Sequence, residues 1–172
     1  MAERRLGFAI ALVVLVLDQL TKWLVTGPMG LVQQGDQIYL LPIFSFTLTH
    51  NNGISLGLLN ATNPVGRWML VALTTAIAVA VAYWIGREKN RFDQIALGMV
   101  LGGALGNILD RSRHGYVVDF LDLHFGDFRP FLVFNVGDAA ISIGVVILLL
   151  RAFLTRKERH EGSGPEETIE HA

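Results

Sequence analysis

The chain contains no cysteine, which excludes disulfides, thiolate metal sites and a cysteine nucleophile. Charge is scarce as well. Only 17% of the 172 residues are Asp, Glu, Lys or Arg, while 52% are hydrophobic, far from the balance of a soluble domain. A formal net charge of −1 argues against nucleic acid as a partner. No HExxH or GxSxG pattern occurs, and His50, His114 and His124 lack metal-ligand spacing. Ser55 and Ser142 have no evident base, and His160 and His171 belong to the polar C-terminal stretch. Neither a metal nor a cofactor is expected. The long segment from about Thr26 to Gly66 has no Lys or Arg at all.

What the chain does have is long apolar runs. The expected spans are about 6–25, 67–86, 93–111 and 131–152. A span takes roughly 20 residues, so the first and third reach full length only with their polar ends. Glu3-Arg4-Arg5 before the apolar Leu6 to Leu17 could instead head a cleaved secretory signal. No small-x-small cleavage site follows, and Asp18 and Lys22 make an i, i+4 pair on one helix face, so this run is kept as a span. The fold class expected is membrane all-α, four transmembrane helices with a small β-sheet and loops on the outer, periplasmic face. Residues 1–155 form one domain without internal repeats, and 156–172 read as a disordered cytoplasmic tail.

Basic residues orient the spans. Arg4 and Arg5 precede the first, Arg87, Lys89 and Arg91 link the second and third, and Arg151, Arg156, Lys157 and Arg159 follow the fourth. By the positive-inside rule both termini face the cytoplasm. That orientation gathers polar residues at one depth. Asp18 and Lys22 in the first span, Asn107, Asp110 and Arg111 in the third, and Asn135 and Asp138 in the fourth fall within about 10 Å of the outer surface. Asn107, Asp110 and Arg111 share a helix face, as do Asn135, Asp138 and Ser142. Gly98, Gly102 and Gly106, four apart, let another helix approach closely. In the first outer segment Phe44, Phe46 and Leu48 alternate with Ser45, Thr47 and Thr49, which predicts a half-buried strand over the pocket. Asn51-Asn52-Gly53 marks a turn after it, and Leu56 to Leu59 would face lipid or substrate.

Two aspartates stand out. Asp138 lies inside a long apolar run, Phe131 to Leu150, and Asp119 ends a short one in the loop before it. An ionisable group at bilayer depth costs several kcal/mol and marks a functional site with a partner nearby. If Asp119 folds against Asp138, the pair shares one proton and can activate water on an amide carbonyl without metal or covalent intermediate.

Taken together, Asp18-Gln19-Leu20-Thr21-Lys22, Asn51-Asn52-Gly53, the block from Gly102-Gly103 through Gly106-Asn107 to Asp110-Arg111, Val118-Asp119-Phe120 and Phe134-Asn135-Val136-Gly137-Asp138 resemble the successive motifs of bacterial lipoprotein signal peptidases, the type II signal peptidases. The order matches from about Arg5 to Phe153. The resemblance implies an aspartyl endopeptidase of the cytoplasmic membrane. It would cut prolipoproteins immediately before a diacylglyceryl-modified cysteine, with Asp119 and Asp138 as the catalytic pair. Asn51, Gly53, Asn107, Asp110, Arg111 and Asn135 would line the pocket, with Asp18 and Lys22 supporting it. Its partners would be prolipoprotein substrates and membrane lipids. A monomer is the default, since the sequence shows no second exposed packing face. Gly137 departs from the alanine usual in that family, and Leu56 from its usual aromatic.

Other readings of the same residues exist. Asp18 with Lys22 could serve only packing, and Asp110 with Arg111 could be an interfacial cap and counter-charge. Asp122 and Asp127 read as solvated loop carboxylates. A small carrier or ion-pathway subunit would also hold intramembrane carboxylates, but it should place polar groups at several depths. Here the inner halves, such as Ala9 to Leu17 and Val145 to Leu150, are almost wholly apolar. A non-catalytic assembly factor would tolerate Asn at both aspartates.

Overall fold

The computed structural model describes residues 2–53, 64–126 and 128–161. Leu56 to Leu59, Asp127 and residues 162–172 lie outside them. Helix α1 is Ala2–Thr26, α2 Pro64–Arg87, α3 Arg91–His114 and α4 Val136–Glu161. Strands β1 Gln37–Leu41, β2 Phe44–Asn51 and β3 Val117–Leu123 complete the elements. Among the described residues four helices are long and apolar enough to cross a membrane: Arg5–Thr26, Pro64–Arg87, Arg91–His114 and Val136–Leu154.

Local chemistry sets several helix ends. Asn90 caps α3, its side chain accepting from the Phe92 and Asp93 amides. Gly115, at φ 90°, closes the same helix in the left-handed conformation with its amide on the Arg111 carbonyl. The start of α4 differs from expectation. The apolar run begins at Phe131, but the helix begins at Val136, because Phe134 is taken into the sheet. Its amide donates to Leu121 O at 3.0 Å, and its carbonyl accepts from Phe120 and Leu121 at 3.0 and 2.8 Å. At the other end α4 runs through Arg156–Glu161, beyond the expected end of the span.

Helix α3 is the hub of the bundle, and its glycines explain why. A Cβ on Gly102 would lie 2.5 Å from the Ala11 carbonyl oxygen and 2.7 Å from Val14 Cβ of α1. Gly98 and Gly106 face α1 as well, whereas Gly103 meets the Gly137 backbone of α4. Small residues thus bring three backbones together, as packing in lipid favours. Ala11, Ala78, Ile85, Leu97 and Leu101 form the apolar core between the helices.

The sheet is antiparallel in the order β1-β2-β3. Strand β2 covers the alternating segment predicted from sequence. Pairing of Ser45 with Asp122 and Phe46 with Leu121 changes register before Thr49 meets Asp119. The extra residue is a bulge at Thr47–Leu48 opposite Phe120. A second apolar cluster of Val25, Leu31, Leu48, Val118 and Phe120 joins the sheet to the end of α1.

Candidate active site

Asp119 is held on β3, not in a loop as expected, so its backbone is fixed by the ladder to β2. Its carboxylate is 1% exposed and accepts two side-chain amides, Asn51 Nδ2 at 2.9 Å and Asn135 Nδ2 at 2.6 Å. Asn51 Oδ1 in turn takes the Gly53 amide at 2.9 Å, closing a turn that Gly53 enters at φ 91°. The Asn51-Asn52-Gly53 turn thereby aims an amide at an acid.

Asp138 sits in the first turn of α4. Asn135 precedes that helix instead of sharing a face with Asp138 and Ser142. The two form a reciprocal cap: Asn135 Oδ1 accepts the Asp138 amide at 2.8 Å, and Asp138 Oδ2 accepts the Asn135 amide at 3.3 Å. Asn107 Nδ2 of α3 donates to Asp138 Oδ1 at 2.7 Å. Asn107 Oδ1 accepts from Asn135 Nδ2 at 3.2 Å and from Lys22 Nζ at 3.4 Å. One side chain, Asn135, therefore bonds both aspartates.

Beneath them lies a layer of fixed charge. Lys22 Nζ is 2.8 Å from both Asp18 Oδ2 and Asp110 Oδ2, and all three residues are buried. Asp110 thus pairs with Lys22, and its Oδ2 also accepts the Val118 amide at 3.0 Å, tying β3 to α3. Asp18 Oδ1 accepts the Gly137 amide at 2.9 Å, so this acid of α1 serves the N-terminus of α4. Gln19, which sequence reasoning passed over, bridges Asp18 Oδ2 at 3.2 Å and Asp110 Oδ1 at 2.9 Å. No periodicity marks it; only its position inside the Asp18 to Lys22 stretch does.

Arg111 lies within electrostatic reach of Asp138, Asp119 and Asp110. Its Nε is buried without a hydrogen-bond partner among the described residues. On the other side Asp138 opens onto a cavity of about 280 Å³ lined by Phe131, Leu132, Phe134, Ala139, Ser142 and Ile143. A polar floor thus meets an apolar wall, as in ligand pockets where a few polar groups fix orientation. Burial first, then the like charge of Asp138, pushes the Asp119 carboxyl up to about 7, against the pull of the Asn51 and Asn135 bonds and Lys22.

One loop expectation is overturned. Asp122 is 1% exposed, not solvated, because Thr47 and Arg129 fold over it. Sequence reading missed this because Thr47 comes from β2, 75 residues away in the chain, and Arg129 from the segment that folds back after β3.

Comparison with known proteins bears on all of this. Residues 10–154 match the family described as signal peptidase (SPase) II. The chain is 53% identical over 157 residues to a lipoprotein signal peptidase of Rhizorhabdus wittichii, covering 91% of each chain. It is 54% identical over 150 residues to that of Sphingopyxis alaskensis, covering 87% of this chain and 86% of the other. A solved bacterial membrane enzyme superposes with a TM-score of 0.73 at 28% identity, covering 96% of this chain and 94% of its own.

Proposed function

The chain belongs to the signal peptidase II family, and from that premise we propose that Asp119 and Asp138 are the water-activating pair of an aspartic endopeptidase cleaving prolipoproteins immediately before a diacylglyceryl-modified cysteine. The observation that carries this reading is the shared bonding of both aspartates to Asn135, in a network where five elements, α1, β2, β3, α3 and α4, meet.

The pair holds one proton. Its ionised member takes a proton from water while the oxygen attacks the scissile carbonyl carbon, and its protonated member donates to the carbonyl oxygen. Collapse of the tetrahedral species breaks the C–N bond, and the proton taken from water passes to the departing amine. The products are a signal peptide with a free carboxylate and a chain with a free amino terminus. Arg111, with an unpaired buried Nε, serves as a holder of substrate backbone carbonyls. Asn51 and Asn107 fix the two carboxyls, and Asp18, Lys22, Asp110 and Gln19 hold the elements that carry them. Gly53 shapes the turn that presents Asn51.

The distribution of Lys and Arg favours cytoplasmic termini and an outward-facing site. The apolar cavity beside Asp138 suits a substrate anchored in the same leaflet. The protein works as a monomer with membrane lipids as its solvent.

The test is cleavage of a diacylglyceryl-modified prolipoprotein by wild type, Asp119→Asn and Asp138→Asn, with the unlipidated precursor as control. Cleavage by wild type before the lipid-bearing cysteine, with losses of about a hundredfold or more in both folded variants, is expected. Equal cleavage by either variant would remove that aspartate from the chemistry.

A further inference from the structure

The chain joining the two aspartates is a second hairpin, not a free loop. After β3, Phe125 and Phe128 exchange backbone bonds of 2.8 and 3.2 Å across a turn. The return segment then pairs Phe134 with Leu121 and delivers Asn135 to Asp119. Side chains alternate along a strand, so Asp122 projects from the face of β3 opposite Asp119.

On that face the Asp122 carboxylate accepts Thr47 Oγ1 at 2.9 Å and Arg129 Nε at 3.2 and 3.4 Å. Ser45 Oγ lies 3.2 Å from Thr47 Oγ1. His124 Nδ1 lies 4.0 Å from Asp122 and is buried without a hydrogen-bond partner among the described residues. The two charges are unequal in setting: the Asp122 side chain is 1% exposed and that of Arg129 49%. The acid is built into the sheet, whereas the base reaches in from the return segment. Removing the base leaves a buried carboxylate without its hydrogen-bonded guanidinium, which costs more than breaking a pair exposed on both sides.

We propose that Asp122 and Arg129 are positioning residues, whose ion pair latches the hairpin between β3 and α4 onto the sheet and so holds Asn135 and the two aspartates in register for catalysis. The proposal rests on the peptidase reading and adds a role to a cluster that the chemistry itself does not use. Neither residue touches the reacting atoms. Their effect passes through the backbone from Arg129 to Phe134 and Asn135.

The test uses the full chain in liposomes, with initial rates over a range of diacylglyceryl-prolipoprotein concentrations. Arg129→Gln, Asp122→Asn and their double variant should lose about tenfold or more in kcat, since misplacement by an ångström costs on the order of a hundredfold. KM should stay within about twofold, because no group that binds substrate is removed. The double variant should be no worse than the poorer single one, as for residues acting as a unit. Arg129→Lys should recover most of the rate. Unchanged kcat in these variants, or a loss matched by the unfolded fraction in a melt, would overturn the latch. The absence of cysteine allows a second readout. Spin labels on Phe128→Cys and Val32→Cys should give a broader distance distribution once Arg129→Gln is added. An unchanged distribution also overturns the proposal. If the wild type cleaves nothing, the peptidase reading fails, and the label distances still decide whether the latch exists.

Discussion

Asn135 is the residue on which the site turns. It caps α4 and donates to Asp119 and Asn107. Asn135→Ala should cost about 1–2 kcal/mol for the lost cap, and should lower cleavage in folded protein because both aspartates lose a partner. A rate equal to wild type would show that the two acids are held by other groups. Asp119 makes a prediction about pH. Its carboxyl is raised from 3.8 to about 7 in the folded protein, so the folded state holds a proton that the unfolded state releases. That contribution is complete below about pH 3.8 and is lost as pH rises to about 7. Thermal melts of wild type should therefore weaken across this window relative to Asp119→Asn, which has nothing there to titrate. Cleavage should decline on the alkaline side of about pH 7 as the shared proton leaves. A rate still climbing well above that pH would contradict a one-proton pair.

Among the elements, α3 depends on small residues where it meets α1. Gly102→Ala would force a methyl group within 2.5 Å of the Ala11 carbonyl. The backbones must part, at about 1–3 kcal/mol for overpacking. Gly86 offers the control, since a Cβ there meets nothing within 4 Å. Gly86→Ala should be neutral or stabilising by up to about 1 kcal/mol. Comparing the two melts separates close packing from helix propensity; a Gly102→Ala melt like that of Gly86→Ala would refute the packing argument. Gly137 lies where α4 meets α3 and α1. Its amide is held by Asp18, and a Cβ would stand 3.1 Å from Asp18 Oδ1, Asn135 Oδ1 and Gly103 O. Gly137 thus lies inside the bonded layer, where a glycine leaves room for Asp18.

For the whole molecule, the orientation across the membrane can be read directly. The lack of native cysteine makes single-cysteine labelling unambiguous. A membrane-impermeant maleimide applied from outside should label Val32→Cys, which is 72% exposed. It should reach Lys89→Cys, in the basic link between α2 and α3, only after permeabilisation. The reverse pattern would invert the protein and put the polar network on the cytoplasmic side.

The four spans, a strand over the alternating Phe44 to Thr49 and the two aspartates beside Asn135 were legible in the chain because each rests on a local signal. Long apolar runs survive any tertiary context, alternation has a period of two, and a charge in such a run is conspicuous by its energy. The partners of those charges were not legible in the same way. Asp110 is adjacent to Arg111 in sequence yet pairs with Lys22, which three-dimensional packing brings within 2.8 Å. The start of α4 was misjudged because hydropathy alone cannot tell a helix from an extended segment that a neighbouring strand captures at Phe134. Asp122 looked solvated because its cover comes from Thr47 and Arg129, which the chain leaves far apart. Sequence by itself determined which segments are long and apolar enough to cross a membrane and which polar groups lie in or beside them. Only the tertiary structure decided which of them touch, since hydrogen bonds and ion pairs act at about 3 Å, a distance set by packing between elements and not by spacing along the chain.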